Sequence, residues 1–248
     1  MAKQQATTPA KNNNAVIMSA DMSVVPDYID SNSGRGNENV GGEVQIPRLK
    51  QLQKASNEVD KHHPDFVEGA EEGDWFDTVQ KKSLGQSIRV VSVNFKTLYV
   101  VWKNRAVGGS PQKLGEFNTA EEANTAVAEQ DQQEFTIGKG ENATTVPYWT
   151  VSKSHKHLVL AFDADDNLFP TPFIMDFSNS KITPSNNWNT KIAALAGDRF
   201  ASVWEIKSNY VTKGENGWYN IDAEGPKGWL AENHYKVAEE LYASTQDF

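Results

Sequence analysis

The sequence predicts an α+β fold: an OB-like Greek-key β-barrel or antiparallel sheet carrying short helices, with a flexible N-terminal arm and a C-terminal helix. Three observations support this class. Residues 87–102 and 145–163 are rich in β-branched and aromatic side chains, which suit a pleated, half-buried surface. Residues 200–211 and 218–221 form two further runs on either side of Lys213-Gly-Glu-Asn-Gly, the pattern of a hairpin. Short segments with helix-start chemistry lie between and after these runs, and no internal repeat interrupts the series.

In chain order, residues 1–43 read as the arm. Ser31-Asn-Ser-Gly-Arg-Gly-Asn-Glu-Asn is turn and coil chemistry, followed by Gly41-Gly42. Residues 44–248 then read as one domain. Pro47 suits the first turn of a helix, and Leu49 and Leu52 give it a short apolar face to about Val59, before Pro64 stops it. Gly69-Ala-Glu-Glu-Gly-Asp-Trp-Phe is a turn leading into a short strand. Residues 87–102 are long enough for one bent strand or for a hairpin without a strong turn signal. Thr119, with Glu122 three residues later, predicts a capping box and a helix to about Gln130. Residues 145–163 give one or two strands, clearest from His155 to Phe162. Pro170 and Pro172 confine the apolar run at 169–177 to an edge. A second helix covers 184–196, and a final amphipathic helix covers 230–243, with Leu230, His234, Val237 and Leu241 on one face.

The 248 residues carry a formal net charge of -9 and no cysteine. A core of useful size is therefore possible, whereas disulfides and thiolate zinc sites are excluded. The first 14 residues lack the apolar core of a secretion signal, and no run approaches the roughly 20 apolar residues needed to span a bilayer. Neither secretion nor membrane insertion is expected. Charge is uneven: residues 79–157 hold 10 Lys/Arg against 7 Asp/Glu, and each flank holds 7 against 13. An acidic chain with a mildly basic middle does not wrap duplex DNA by charge alone, but screening over about 8–10 Å leaves room for a local cationic groove.

The middle third contains the most chemistry. From Arg89 to Arg105, rings and cations interleave on a strand-forming run. Flat rings beside positive charge are what a sequence-tolerant single-stranded nucleic-acid site requires. The candidate binding residues are Arg89, Lys96, Tyr99, Trp102, Lys103, Arg105, Trp149, Lys153 and Lys156. Each ring has a competing assignment as core filling. Period-2 geometry places Phe95, Tyr99 and Val101 on one face and Lys96, Leu98, Val100 and Trp102 on the other.

Other constellations are weaker. His62-His63 with Asp65 fits a solvated turn better than a metal site. Asp163-Ala-Asp-Asp-Asn imitates a calcium loop, but Leu168 and Ile174 stand where Gly and Glu are required, so it reads as an Asx-rich turn. His155 and His157 share a face; they could meet a phosphate when protonated, and a hydrogen-bonded structural role fits them as well. No nucleophile elbow, phosphate loop or dinucleotide fingerprint is present. No catalytic residue, metal or cofactor is assigned. The C-terminus ends in Asp247-Phe248, a thin version of the acidic, Phe-terminated tails with which prokaryotic and phage single-strand binders dock replication proteins.

Several segments together resemble an uncharacterised bacteriophage protein family. They are Ile46-Pro-Arg-Leu-Lys-Gln-Leu-Gln, Phe66-Val-Glu-Gly-Ala-Glu-Glu-Gly, Val90-Val-Ser-Val, Tyr99-Val-Val-Trp-Lys-Asn-Arg and Gly108-Gly109. The resemblance implies single-stranded DNA binding on an OB-like fold, in replication or recombination. It carries over Trp102 and Arg105 as binding positions and brings no catalytic residues. Three function classes follow. The first is a single-stranded DNA-binding protein with DNA, replication proteins and further copies of itself as expected partners. The second is a virion structural protein whose arm orders on assembly. The third is an enzyme whose site forms only on folding.

Overall fold

The computed structural model describes residues 46–246. The arm expected over residues 1–43, and Asp247 and Phe248, lie outside the described residues. In chain order the strands and helices are β1 (Leu49–Gln51), β2 (Trp75–Asp77), β3 (Lys82–Ser83), β4 (Ser87–Lys103), β5 (Lys113–Phe117), α1 (Ala120–Ala128), β6 (Glu134–Ile137), β7 (Thr144–Pro147), β8 (Trp149–Phe162), β9 (Phe173–Ser178), α2 (Ile182–Ala193), β10 (Ser202–Lys213), β11 (Asn216–Trp229) and α3 (Glu232–Ser244).

The α+β class holds, with every strand pair antiparallel. The main sheet has the order β11-β10-β4-β8-β9, with β5 added beside β4; β1-β2-β3 and β6-β7 form two small sheets. These sheets are open, so the closed Greek-key barrel does not form among the described residues. Closure requires the edge strands to meet. Here β4 is shared along its length instead: Ser87 to Val90 pair with β10, and Tyr99 to Trp102 pair with β5. Layers then cover the sheet from both sides.

Those layers explain the apolar run that opens β4. Val90 faces the core beneath α2, with Trp188, Trp204, Phe173 and Met175, whereas Val91 and Val93 face α3 and Phe200. A strand covered on both faces is apolar at successive positions, and this one is. A bulge between Ser92 and Asn94 resets the alternation, leaving Val93 as the extra residue. β8 runs antiparallel beside β4, from Arg89 opposite Phe162 to Lys103 opposite Trp149.

Two local expectations are corrected. The helix placed over 47–59 is instead strand β1 followed by a single 3-10 turn at Asn57–Val59. Pairing decides this. Pro47 accepts a hydrogen bond from Ile174 N, and Leu49 is buried in the main core. Burying Leu49 outweighs an isolated short-helix preference, because helices of that length are marginal without packing. On α3 the packed residues are Tyr235, Ala238 and Leu241, with Leu230 just before the helix, while Val237 is 42% exposed. Leu230, His234 and Leu241 therefore pack as expected, with His234 edge-on to Phe162 at 5.9 Å, while Val237 turns outward and Tyr235 and Ala238 pack in its place.

β11 is an edge strand, and side chains block part of it. The Gln53 amide accepts from Tyr219 N at 2.9 Å and donates to Tyr219 O at 3.0 Å, as a neighbouring strand would. Gly73 lets this loop approach. Its φ is +91°, and a Cβ there would lie 2.6 Å from the Tyr219 ring.

Candidate nucleic-acid interface

The β4–β8 register divides the predicted residues between the two faces of one sheet. Lys96 pairs with Lys156, Tyr99 with Lys153, Trp102 with Thr150, and Lys103 with Trp149. Side chains at paired positions share a face. Tyr99, Lys103, Trp149 and Lys153 therefore lie on the α1 side, and Lys96, Trp102 and Lys156 lie on the opposite, outer side.

On the α1 side the rings are structural. Trp149 is 8% exposed and packs with Val101 and Ala123, and Tyr99 is half-buried in the same cluster. Tyr148 meets Trp149 edge-on at 5.3 Å, and Lys103 sits 5.9 Å above the Tyr148 ring. The capping box at Thr119 fixes α1 here: Thr119 Oγ1 accepts from Glu122 N, and Glu122 Oε2 accepts from Thr119 N. Lys153 is exposed beside this cluster.

On the outer side, Trp102 is 42% exposed although the residues before it on β4, Val100 and Val101, are buried. Its cross-strand neighbours are Lys113 on β5 and Thr150 on β8. Two rows further along, Glu116 lies opposite Val100 and accepts from Lys113 Nζ at 2.6 Å and from Lys156 Nζ at 2.5 Å. Burial pushes the Glu116 carboxyl upward. Hydrogen bonds from Lys113 and Lys156, reinforced by their charges, outweigh burial and hold it down at about 2. Lys96 and Lys156 face each other directly, a like-charge pair whose cost is eased on the Lys156 side by its ion pair with Glu116. Beyond them Asp176 on β9 pairs with Arg48; burial raises its carboxyl, and the Arg48 charge opposes the rise. The result is a strip with one exposed ring, Trp102, flanked by hydroxyls and lysines over buried Leu98 and Val100, with Glu116 bridging two of the lysines.

Arg89 and Arg105 lie at the two ends of β4. Arg89 forms an ion pair with Asp166 and donates to Asp163 O at 3.3 Å, so it anchors the Asx-rich turn. Within that turn Asp163 Oδ1 accepts from Asp165 N and Asn167 N, and the Asn167 bonds are the first of the interactions that lower the Asp163 carboxyl. Arg105 is exposed in the turn after Trp102 and Lys103. His63 lies 3.7 Å from Asp65 in a solvated turn, and no group of three or more His, Asp or Glu among the described residues is placed to hold a metal ion.

Lys113 and Glu116 were not anticipated from sequence. Gly115 and the short length of Lys113–Phe117 obscure a strand signal, and only the pairing with β4 brings Glu116 to the lysines. A second positive cluster is neutralised where it stands: Lys207 and Lys227 both contact Glu205 and Glu224 across β10 and β11.

No described helix is long and apolar enough to cross a membrane. A family model described as Pam3 phage gp34-like protein matches residues 16–247. No curated protein and no solved structure matches.

Proposed function

We propose that this chain, which belongs to the Pam3 phage gp34-like protein family, binds single-stranded DNA on the outer face of the β5–β4–β8 ladder. The observation that carries this reading is the half-exposed Trp102 ring beside a row of lysines on a chain that is acidic overall. Trp102 stacks one base. Lys96, Lys113 and Lys156 contact phosphates, and Arg105 continues the path beyond the end of β4. Thr150 and Ser152, facing the same way on β8, add hydroxyl donors. Stacking tolerates any base, so binding is independent of sequence, and the proposed setting is strands exposed during phage replication or recombination in the host cytoplasm.

Tyr99, Trp149 and Lys153 have no part in this strip, because they project from the other face. The carboxylates around the rest of the molecule weaken nonspecific attachment.

A gel-shift titration with a labelled oligonucleotide at several salt concentrations tests the proposal. Three phosphate contacts give a slope of log affinity against log salt of about −2 on a single strand. Unchanged binding after Trp102→Ala combined with Lys96→Ala would remove this face from consideration. Abundance in purified virions together with no oligonucleotide binding would replace the reading by a role in the particle.

A further inference from the structure

Two histidines sit in the interior beneath α2, joined by one hydroxyl. His155 is 1% exposed, His157 and Ser185 are 0% exposed, and all three lie between β8 and α2. Ser185 Oγ is 2.9 Å from His155 Nδ1 and 2.8 Å from His157 Nε2. Arg199, in the turn after α2, donates to Ser92 Oγ at 2.9 Å and to Asn189 Oδ1 at 2.6 Å, and its Nη2 lies 3.3 Å from His157 Nδ1. The His157 ring also stacks on Trp188 of α2 at 4.5 Å.

The donors and acceptors fix the protons along this chain. A guanidinium only donates, so His157 Nδ1 must accept, and its proton sits on Nε2. His157 Nε2–H then donates to Ser185 Oγ, whose own hydrogen is left for His155 Nδ1. With both rings neutral, every donor along this path has an acceptor. A proton added to His157 would place two donors, Nδ1–H and Arg199, face to face. A proton added to His155 would make Nδ1 a donor, so the Ser185 hydroxyl would turn to accept from both rings and its own hydrogen would lose the His155 acceptor.

We propose that this network is a proton-operated latch that holds α2 on the sheet at neutral pH and releases it in mild acid. The surroundings favour release over adjustment. β4 contributes Ser92 and Phe95, β8 contributes Lys153, β9 contributes Phe177, α2 contributes Ser185, Trp188 and Asn189, and the following turn contributes Arg199. The charged members are cations, and no carboxylate among the described residues hydrogen-bonds to either ring. Burial, then the charges of Arg199 and His155, hold His157 well below its ordinary value of 6.5; burial and then Lys153 lower His155. Burial lowers Arg199 itself only to about 10, so it stays charged at neutral pH. A histidine depressed in the folded state contributes stability that is complete above 6.5 and is lost as pH falls below it. The latched state therefore weakens by up to about tenfold per pH unit for each histidine, or a hundredfold for the pair.

Hydrogen exchange read by mass spectrometry between pH 7 and pH 5, corrected for intrinsic exchange rates, tests the latch. The expected result is that peptides from α2 lose protection ten- to a hundredfold per pH unit below 6.5, while peptides from β4 and β8 keep theirs. His155→Gln with His157→Gln should flatten that dependence. Equal pH dependence in the double variant, or loss of protection in α2 and the sheet together, would overturn the proposal. A titration of the histidine ring signals by NMR on the unmodified protein decides the matter even if the variant does not fold. Both rings are expected to take up protons only in the pH range where α2 opens. A ring that titrates near 6.5 with α2 still protected would overturn the latch.

Discussion

Replacing Trp102 by Ala should separate binding from folding. The ring is 42% exposed and belongs to none of the buried clusters, so little packing is lost with it. Stacking a base on an aromatic ring contributes roughly 1–3 kcal/mol. Only part of this indole is free, so the lower part of that range applies, about 1–2 kcal/mol, or roughly 5- to 30-fold in affinity at about 1.4 kcal/mol per tenfold. Trp149→Ala is the matched control. It empties a site that is 8% exposed, and loss of a buried large aromatic costs about 3–5 kcal/mol of stability. Fluorescence anisotropy of a labelled oligonucleotide gives the affinities, and urea unfolding gives the stabilities. Trp102→Ala should weaken binding with an unchanged urea midpoint, and Trp149→Ala should lower the midpoint. A Trp102→Ala protein that binds as tightly as the parent, or that unfolds as early as Trp149→Ala, would refute the division of the two faces.

Glu116→Gln removes the single carboxylate that bridges Lys113 and Lys156, and should raise oligonucleotide affinity by about two- to fivefold, the scale of one partly exposed ion pair; weaker binding in the anisotropy titration would show that Glu116 positions the lysines instead of competing with phosphate. The same variant bears on acid stability. The native carboxylate is held at about 2 against an ordinary 4.5, so its contribution is complete above pH 4.5 and lost as pH falls toward 2; urea midpoints of the variant should be flatter across that interval. Thr119→Ala breaks the capping box and should cost about 1 kcal/mol, read as a lower urea midpoint at constant slope. Gly73→Ala forces a side chain into a positive φ and against the Tyr219 ring, and should cost more than ~1 kcal/mol by the same assay.

The long strands and the N-cap of α1 were legible because their signals are local. β4 and β8 show β-branched runs, Thr119 and Glu122 show their box, and the residues between β10 and β11 show their turn. The parity of Lys96 and Trp102 against Tyr99 was equally readable. The partner strand's register was not, and register alone places Lys156 on the outer face and Trp149 on the other. β1 was misread because Pro47, Leu49 and Leu52 fit a helix start, while the contact that overrides it, Ile174 on β9, lies more than 120 residues away. An open sheet and a barrel share the same strands. The difference lies in which edges meet, and no local pattern encodes that. The histidine network shows the same limit: the sharing of one face was visible, but Ser185 and Arg199 come from segments brought together only by packing.

Chemical-shift mapping with an unlabelled single-stranded oligonucleotide tests the binding face most directly. Backbone amides of Lys96, Trp102, Lys113, Thr150, Ser152 and Lys156 should shift together and saturate at one affinity, with α2 and the β10–β11 hairpin undisturbed. Shifts confined to α2 or the hairpin, or no shifts at low salt, would contradict binding on the outer β5–β4–β8 face.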